Sequence, residues 1–402
     1  MTLRTMFAII ALLAVAPGAT GAGSSAASDI QNLVEEIEQR HPNPYHAISR
    51  AEFRGAAEDL ATRAPTLSRS QQIVGVMRLM HMLGERDGHS GVFPFVQANY
   101  SGLHAYPIRL WRFPEGLNVI RAQDPSLVGA RVLSVGGLPA ADAEARVRPL
   151  VPRDNEWSLI DHLPYFLVTA EVLEGIGVGS APTWELELRD GTRRLVVLER
   201  ISNAEYASTL LDSWWQGSRK APLFIRLSHV EYGVSVIDRG RALYVSYNHV
   251  TQPGLVPQRL VRLAKRKRVR KIIVELRMNG GGNNTTYYEL VQALRNRRIN
   301  RPQRLAVLIG RRTFSAAGNF AADVDRMTRA RFFGEPTGGA PSQWGDRSPI
   351  PLPSLGIESG TAIEYVGDSS DTRVATMPQV PVEMTAADWF AGRDPVLAAA
   401  LK

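Results

Sequence analysis

A serine hydroxyl attacks a carbonyl only where a base takes its proton and hydrogen-bond donors receive the oxyanion. One stretch of this chain offers the nucleophile and a donor together. The apolar run Leu305–Ile309 reads as a buried strand, continues into Arg311-Arg312-Thr313-Phe314, and is followed by Ser315-Ala316-Ala317-Gly318-Asn319, which opens a helical segment. At such a junction the backbone N–H groups of a helix N-terminus point outward, so Ser315 is a candidate nucleophile and Ala316 a candidate oxyanion donor. The same position also suits a plain helix N-cap. Upstream, Lys271–Leu276 reads as a second buried strand, closed by Arg277-Met278-Asn279-Gly280-Gly281-Gly282. Glycine permits the close approach and unusual φ that an oxyanion turn needs, which makes Gly281 and Gly282 further candidate donors. Read alone, the triple glycine also suits a flexible turn.

These segments resemble the motifs of the S41 (C-terminal processing, or tail-specific) peptidases. The family's strand ends in D-L-R-x-N-x-G-G, its serine lies in T-x-S-A-A/S, and G-E-x-T-G-G follows, here Gly334-Glu335-Pro336-Thr337-Gly338-Gly339. Asp87-Gly88-His89-Ser90 is similar to the family's D-G-H-T/S, and Gly392-Arg393-Asp394-Pro395-Val396-Leu397 resembles the ending of many bacterial members. The resemblance runs in order from about residue 30 to residue 400. It implies an α/β fold: a ClpP/crotonase-like layered catalytic core, a PDZ-like β-rich module and a helical N-terminal segment. It also implies a serine endopeptidase that hydrolyses polypeptides through an acyl-enzyme on Ser315, without metal or cofactor.

One branch of the family uses a Ser–Lys dyad. The lysine's position is Ala340 here, and no lysine lies between Lys271 and Lys402, so the dyad is excluded. The other branch resembles tricorn protease and uses a histidine, which falls on His89; an imidazole near neutral pKa is a good acceptor for a hydroxyl proton. An orienting carboxylate is expected late in the chain, at Asp371, with Glu358, Glu364 and Asp87 as rivals. Gly88 stands where tricorn-like members carry a serine, a departure from the pattern. The alternative from another class is a non-catalytic ligand-binding relative, similar to the retinoid-binding proteins of the same fold.

The elements that must position these groups fall into segments. Residues 29–100 read as helical and carry the Asp-Gly-His motif, with Ser28 or Asp29 capping the first helix and Ser49 and Ser70 opening two more. Residues 101–200 alternate short strands and turns, interrupted from Pro152 to Gly179 by helix formers; Gly129–Gly137 resembles the G-x-x-V-x-x-I-x-G signature of PDZ domains, which bind chain ends by strand addition. Residues 201–402 alternate strand and helix, the rhythm of a layered α/β domain.

Residues 1–28 read as a signal peptide and short linker: Arg4, an apolar core from Met6 to Ala16, the breakers Pro17 and Gly18, and small residues at Thr20-Gly21-Ala22. The core is too short to span a bilayer, so the expectation is a periplasmic or secreted protein with no stable membrane anchor after cleavage. The chain has no cysteine, which excludes disulfides, a thiol nucleophile and thiolate-bound zinc. Net charge is +8. The densest basic cluster, Arg259–Lys271, lacks interleaved aromatics and reads as a solvated helix face, so no nucleic-acid partner is expected.

Overall fold

Strands covered on both faces are apolar at nearly every position, and the strands flanking the serine follow that rule. In the computed structural model, which describes residues 24–402 except 97, 98, 100 and 212–220, they lie in one six-stranded sheet. Its order is Val380–Pro381, Arg331–Gly334, Leu305–Ile309, Lys271–Glu275, Ala242–Tyr247 and Tyr232–Ile237, parallel throughout except for the last pair. Val245, Val274, Val307 and Phe332 stand in register across it. Their face packs on the helices Val256–Leu263, Tyr288–Leu294 and Ala316–Met327 through Leu260, Leu290 and Phe320. Tyr244, Ile273 and Leu308 point to the other face, closed by Val396 and Ala400 of the helix Pro395–Leu401. The layered α/β core expected from the sequence is present; of the basic cluster Arg259–Lys271, only the part up to Leu263 is helical, Lys265–Arg268 is exposed beyond the helix end, and Lys271 already opens the next strand.

The N-terminal part forms helices Ala26–Arg40, Arg50–Arg63 and Arg69–His81. Each opens with a capping box, in which a serine side chain takes an N–H of the first turn and a side chain of that turn reaches back. The caps are Ser25, Ser49 and Ser68, so Ser28 is the reciprocal partner of Ser25 rather than the cap, and Ser70 lies inside its helix. His41 ends the first helix. A second sheet orders Ile108–Phe113, Gly116–Ala122, Arg131–Val135, Thr183–Glu187 and Arg193–Val197 as antiparallel neighbours. The interruption between its third and fourth strands contains helices Ala140–Val147, Glu156–Leu167 and Ala170–Gly175.

The largest element the sequence did not disclose is an antiparallel hairpin, Ser342–Leu352 with Ile357–Gly367. Its far end joins the core of the N-terminal helices through Ile350, Leu352, Leu355 and Ile357. Asp29 accepts from Ser354 N–H at 2.8 Å at the hairpin tip. The reading of residues 1–28 falls almost entirely outside the described residues. Among those described, no helix is long and apolar enough to cross a membrane.

Candidate active site

The site lies beyond the carboxyl ends of the parallel strands, where open α/β sheets place their ligands. After Ile309 the chain turns back: Gly310 O accepts from Thr313 N–H at 2.8 Å, and Thr313 Oγ1 donates to Leu276 O at 2.9 Å. This ties the serine turn to the neighbouring strand end. Ser315 then adopts φ 53° and ψ −132°, a region that side-chain-bearing residues rarely occupy. Its hydroxyl makes no capping bond to the helix Ala316–Met327 that it precedes. Instead Oγ lies 3.0 Å from His89 Nε2, a contact across 226 residues of sequence.

Backbone approaches this serine from two sides. A Cβ on Gly281, whose φ is +116°, would sit 2.6 Å from Ser315 Cβ, and one on Gly339 would sit 2.9 Å from Ser315 N. Contact requires glycine at both positions, and the positive φ of Gly281 requires it there a second time. The three candidate oxyanion donors differ. Gly281 N–H is already committed to Asn279 Oδ1 at 3.0 Å. Among the described residues, the N–H groups of Gly282 and Ala316 have no such partner, while the residues on either side of Gly282 are held by Val250, whose N–H donates to Gly281 O and whose O accepts from Asn283 N–H, each at 2.8 Å. Gly281 thus packs against Ser315 with its own N–H already bonded, which separates it from the other two candidates.

The His89 loop is carried to the serine by the hairpin. Trp344 N–H donates to Arg86 O at 2.8 Å, Ala362 N–H to Ser90 Oγ at 2.9 Å, and Gly91 N–H to Gly360 O at 2.9 Å. The half-buried imidazole stacks on Phe314, ring centres 4.9 Å apart. Protein crowding around the ring pulls its pKa down to about 4, against the opposing pull of the Asp87 charge, the Trp344 carbonyl and the Asp346 charge. His89 is thus neutral at neutral pH and able to accept a proton.

No carboxylate hydrogen-bonds the other ring nitrogen, since Nδ1 has no partner in bonding geometry. Asp371 is not brought to His89; its carboxylate is held by Arg373 at 2.6 Å. Of the rivals, Glu358 pairs with Arg347 at 2.8 Å and Asp87 faces His41 at 3.3 Å, while Glu364 is opposite Gly345 in the hairpin register. Sequence reasoning missed Trp344, whose carbonyl faces the imidazole, because the long hairpin that carries it was not read as strand.

His41, His46 and Asp87 place one potential ligand atom each within 4.8 Å of one another. Their hydrogen bonds argue against a metal. Asn43 N–H donates to His41 Nδ1 at 3.0 Å, which leaves the proton on Nε2, facing Asp87. Both ring nitrogens of His46 lie 3.1 Å from backbone carbonyls, those of Asn43 and Glu85. Binding a metal through His41 would cost the Asn43 bond or require moving its proton off Nε2, and a neutral His46 donates to only one of its two carbonyls. The cluster fits a structural His–Asp pair that steadies the start of the Asp-Gly-His turn.

Two motif residues outside the site are structural. Arg277 is buried between Glu275 at 2.7 Å and Asp394 at 2.8 Å, and lies over the Phe224 ring at 4.0 Å. Asp394 also caps the last helix by accepting from Leu397 N–H at 2.9 Å.

The layered sheet, the hairpin and the second sheet make a mixed α/β fold shared with solved structures of CPAF. No family model and no curated protein sequence matches the chain. Among solved structures it is similar to mature CPAF complexed with lactacystin, at 14% identity and a TM-score of 0.62, covering 92% of this chain and 95% of that one. A point mutant of CPAF gives 12% identity, a TM-score of 0.62, and coverage of 92% and 94%. Mature CPAF gives 12% identity, a TM-score of 0.60, and coverage of 93% and 96%. At these identities the likeness is one of fold.

Proposed function

We propose that this chain is a serine peptidase acting on polypeptides, with Ser315 as nucleophile and His89 as general base. The observation that carries the reading is the 3.0 Å contact of His89 Nε2 with Ser315 Oγ at a strained strand-to-helix turn. In this scheme Oγ bonds to the scissile carbonyl carbon as Nε2 takes its proton. The tetrahedral oxyanion meets the N–H groups of Gly282 and Ala316. Collapse breaks the C–N bond, and the imidazolium returns the proton to the leaving amine. Water then repeats the sequence on the acyl-enzyme: His89 takes its proton, and Ser315 Oγ leaves with it. The neutral imidazole at ordinary pH supports this role.

The test is intact-mass measurement after fluorophosphonate treatment of the wild type, Ser315→Ala and His89→Ala. One adduct, lost in both variants, is expected. An adduct kept in His89→Ala leaves the nucleophile and removes the base. No adduct on the wild type favours the non-catalytic ligand-binding alternative. Lactacystin, seen bound to mature CPAF, is a second probe. The six-stranded sheet, with Gly136 and Gly137 in the turn between Arg131–Val135 and its short partner Leu138–Pro139, supports a PDZ-like role in presenting substrate ends, and the residue pattern of 1–28 supports export to the periplasm or beyond.

A further inference from the structure

Asp154 lies outside every motif that marked the site, just before the helix Glu156–Leu167, and is fully buried. Its carboxylate accepts two backbone N–H groups from distant parts of the chain. Oδ1 accepts from Gly88 at 2.7 Å, and Oδ2 accepts from Ala340 at 3.2 Å. Its backbone O accepts from Arg86 N–H at 2.9 Å, and its own N–H is held by Ser158 Oγ at 3.0 Å. Gly88 precedes the base. Ala340 follows Gly339, whose N–H donates to Thr313 O at 2.9 Å and whose Cα backs onto Ser315. One side chain therefore grips the turn of the base and the turn that supports the nucleophile. It also explains the glycine at position 88: a Cβ there would lie 2.7 Å from Asp154 Oδ1 and 2.9 Å from Asp154 N.

We propose that Asp154 is a positioning residue, a carboxylate clasp that sets the His89–Ser315 contact by holding Gly88 and Ala340 at once. The proposal rests on the reading of His89 and Ser315 as base and nucleophile. The ionised carboxylate can accept both N–H groups; a protonated one turns an oxygen into a donor and leaves one N–H facing it. Burial pushes the carboxyl up to about 7, with the Gly88 and Ala340 N–H groups and the Arg86 charge pulling down and the Asp87 charge pushing up. Acidification through neutrality thus loosens one arm of the clasp while His89, held down to about 4, is still neutral.

The experiment is the fluorophosphonate labelling rate of the full protein against pH, for wild type and Asp154→Asn, with circular dichroism as the folding control. Asn keeps the shape but presents an NH₂ to one of the two N–H groups. The wild-type rate is expected to fall on acidification with a midpoint near 7. The variant is expected to label roughly 10–100-fold more slowly and without that midpoint, the cost of a misplaced base. An Asp154→Asn protein that labels at the wild-type rate with the wild-type midpoint overturns the clasp. If the variant does not fold, infrared difference spectra of the wild type decide. A protonated-carboxyl band that titrates with the labelling rate supports the proposal, and a rate midpoint without such a band overturns it. A wild type that never labels instead counts against the peptidase reading. The clasp is then read from amide exchange at Gly88 and Ala340, which Asp154→Asn must accelerate at both; unchanged exchange overturns it.

Discussion

The backbone N–H of Ala362 donates to Ser90 Oγ at 2.9 Å, and both residues are buried. This bond joins the residue after His89 to the second strand of the hairpin, so it is part of what brings the base across the molecule. Ser90→Ala removes the acceptor and leaves a buried N–H unpaired, at a cost of about 1–3 kcal/mol. Thermal unfolding should show a melting temperature several degrees lower, and Ser90→Thr, which keeps a hydroxyl, should recover most of it. Equal melting of Ser90→Ala and wild type would show that the hairpin is held by its other bonds alone.

Gly281 and Gly280 are neighbours with opposite expectations. Gly281 has φ +116° and faces Ser315, where an added Cβ would be 2.6 Å from Ser315 Cβ and 3.1 Å from Oγ. Gly280 has nothing within 4 Å of a built Cβ. Gly281→Ala must displace the nucleophile, and a displacement of this kind costs on the order of 100-fold in rate. Gly280→Ala should label with fluorophosphonate at close to the wild-type rate. Similar rates for the two variants would mean that the glycine turn does not bear on Ser315.

Much of this was legible in the residues. Ile272–Val274 and Leu305–Ile309 are apolar because both sheet faces are covered, and their strands lead into the glycine turn and the serine turn. His89 could be singled out among the histidines because its Asp-Gly-His turn matched a motif. The hairpin was not legible: Pro349, Pro351 and Gly345 interrupt the alternation that marks a strand, yet a two-stranded ribbon tolerates them. With it went Trp344. The third-residue reading failed at Asp371 because position along the chain says nothing about a neighbouring Arg373 that claims the carboxylate. Asp154 was invisible because its partners are backbone N–H groups, which leave no residue-type signal.

Arg277 and Asp394 show how a motif can carry stability rather than chemistry. Arg277 is buried with Glu275 and Asp394 on either side. Burial pushes the Asp394 carboxyl up, but Arg277 overcomes this and holds it below the usual range. Arg277→Met strands two buried carboxylates, and losing one partner of a buried pair costs about 3–5 kcal/mol. Urea unfolding should show this loss at neutral pH. Because the folded-state pKa of Asp394 is depressed, its contribution is present at neutral pH and is lost as pH falls through the acid range, so the gap between wild type and variant should narrow there. A constant gap down to low pH would place the stabilisation in the stacking of Arg277 on Phe224 instead.

His89 carries its own signature in stability. Its folded pKa is pulled from 6.5 to about 4 by burial. Between those values the unfolded chain binds a proton that the native site refuses, so stability rises with pH across the window and is lost as pH falls through it. The shift corresponds to at most about 3 kcal/mol, less after allowance for the partial exposure of the ring. His89→Gln removes this term while leaving Asp154, whose opposite shift is then common to both proteins and cancels in the comparison. Unfolding free energies measured by urea across this range should therefore diverge from those of wild type as the solution is acidified, the wild type losing more. Parallel curves would mean that His89 titrates alike in the folded and unfolded chains, and a ring so accessible to protons could not be the crowded, neutral base that the contact with Ser315 requires.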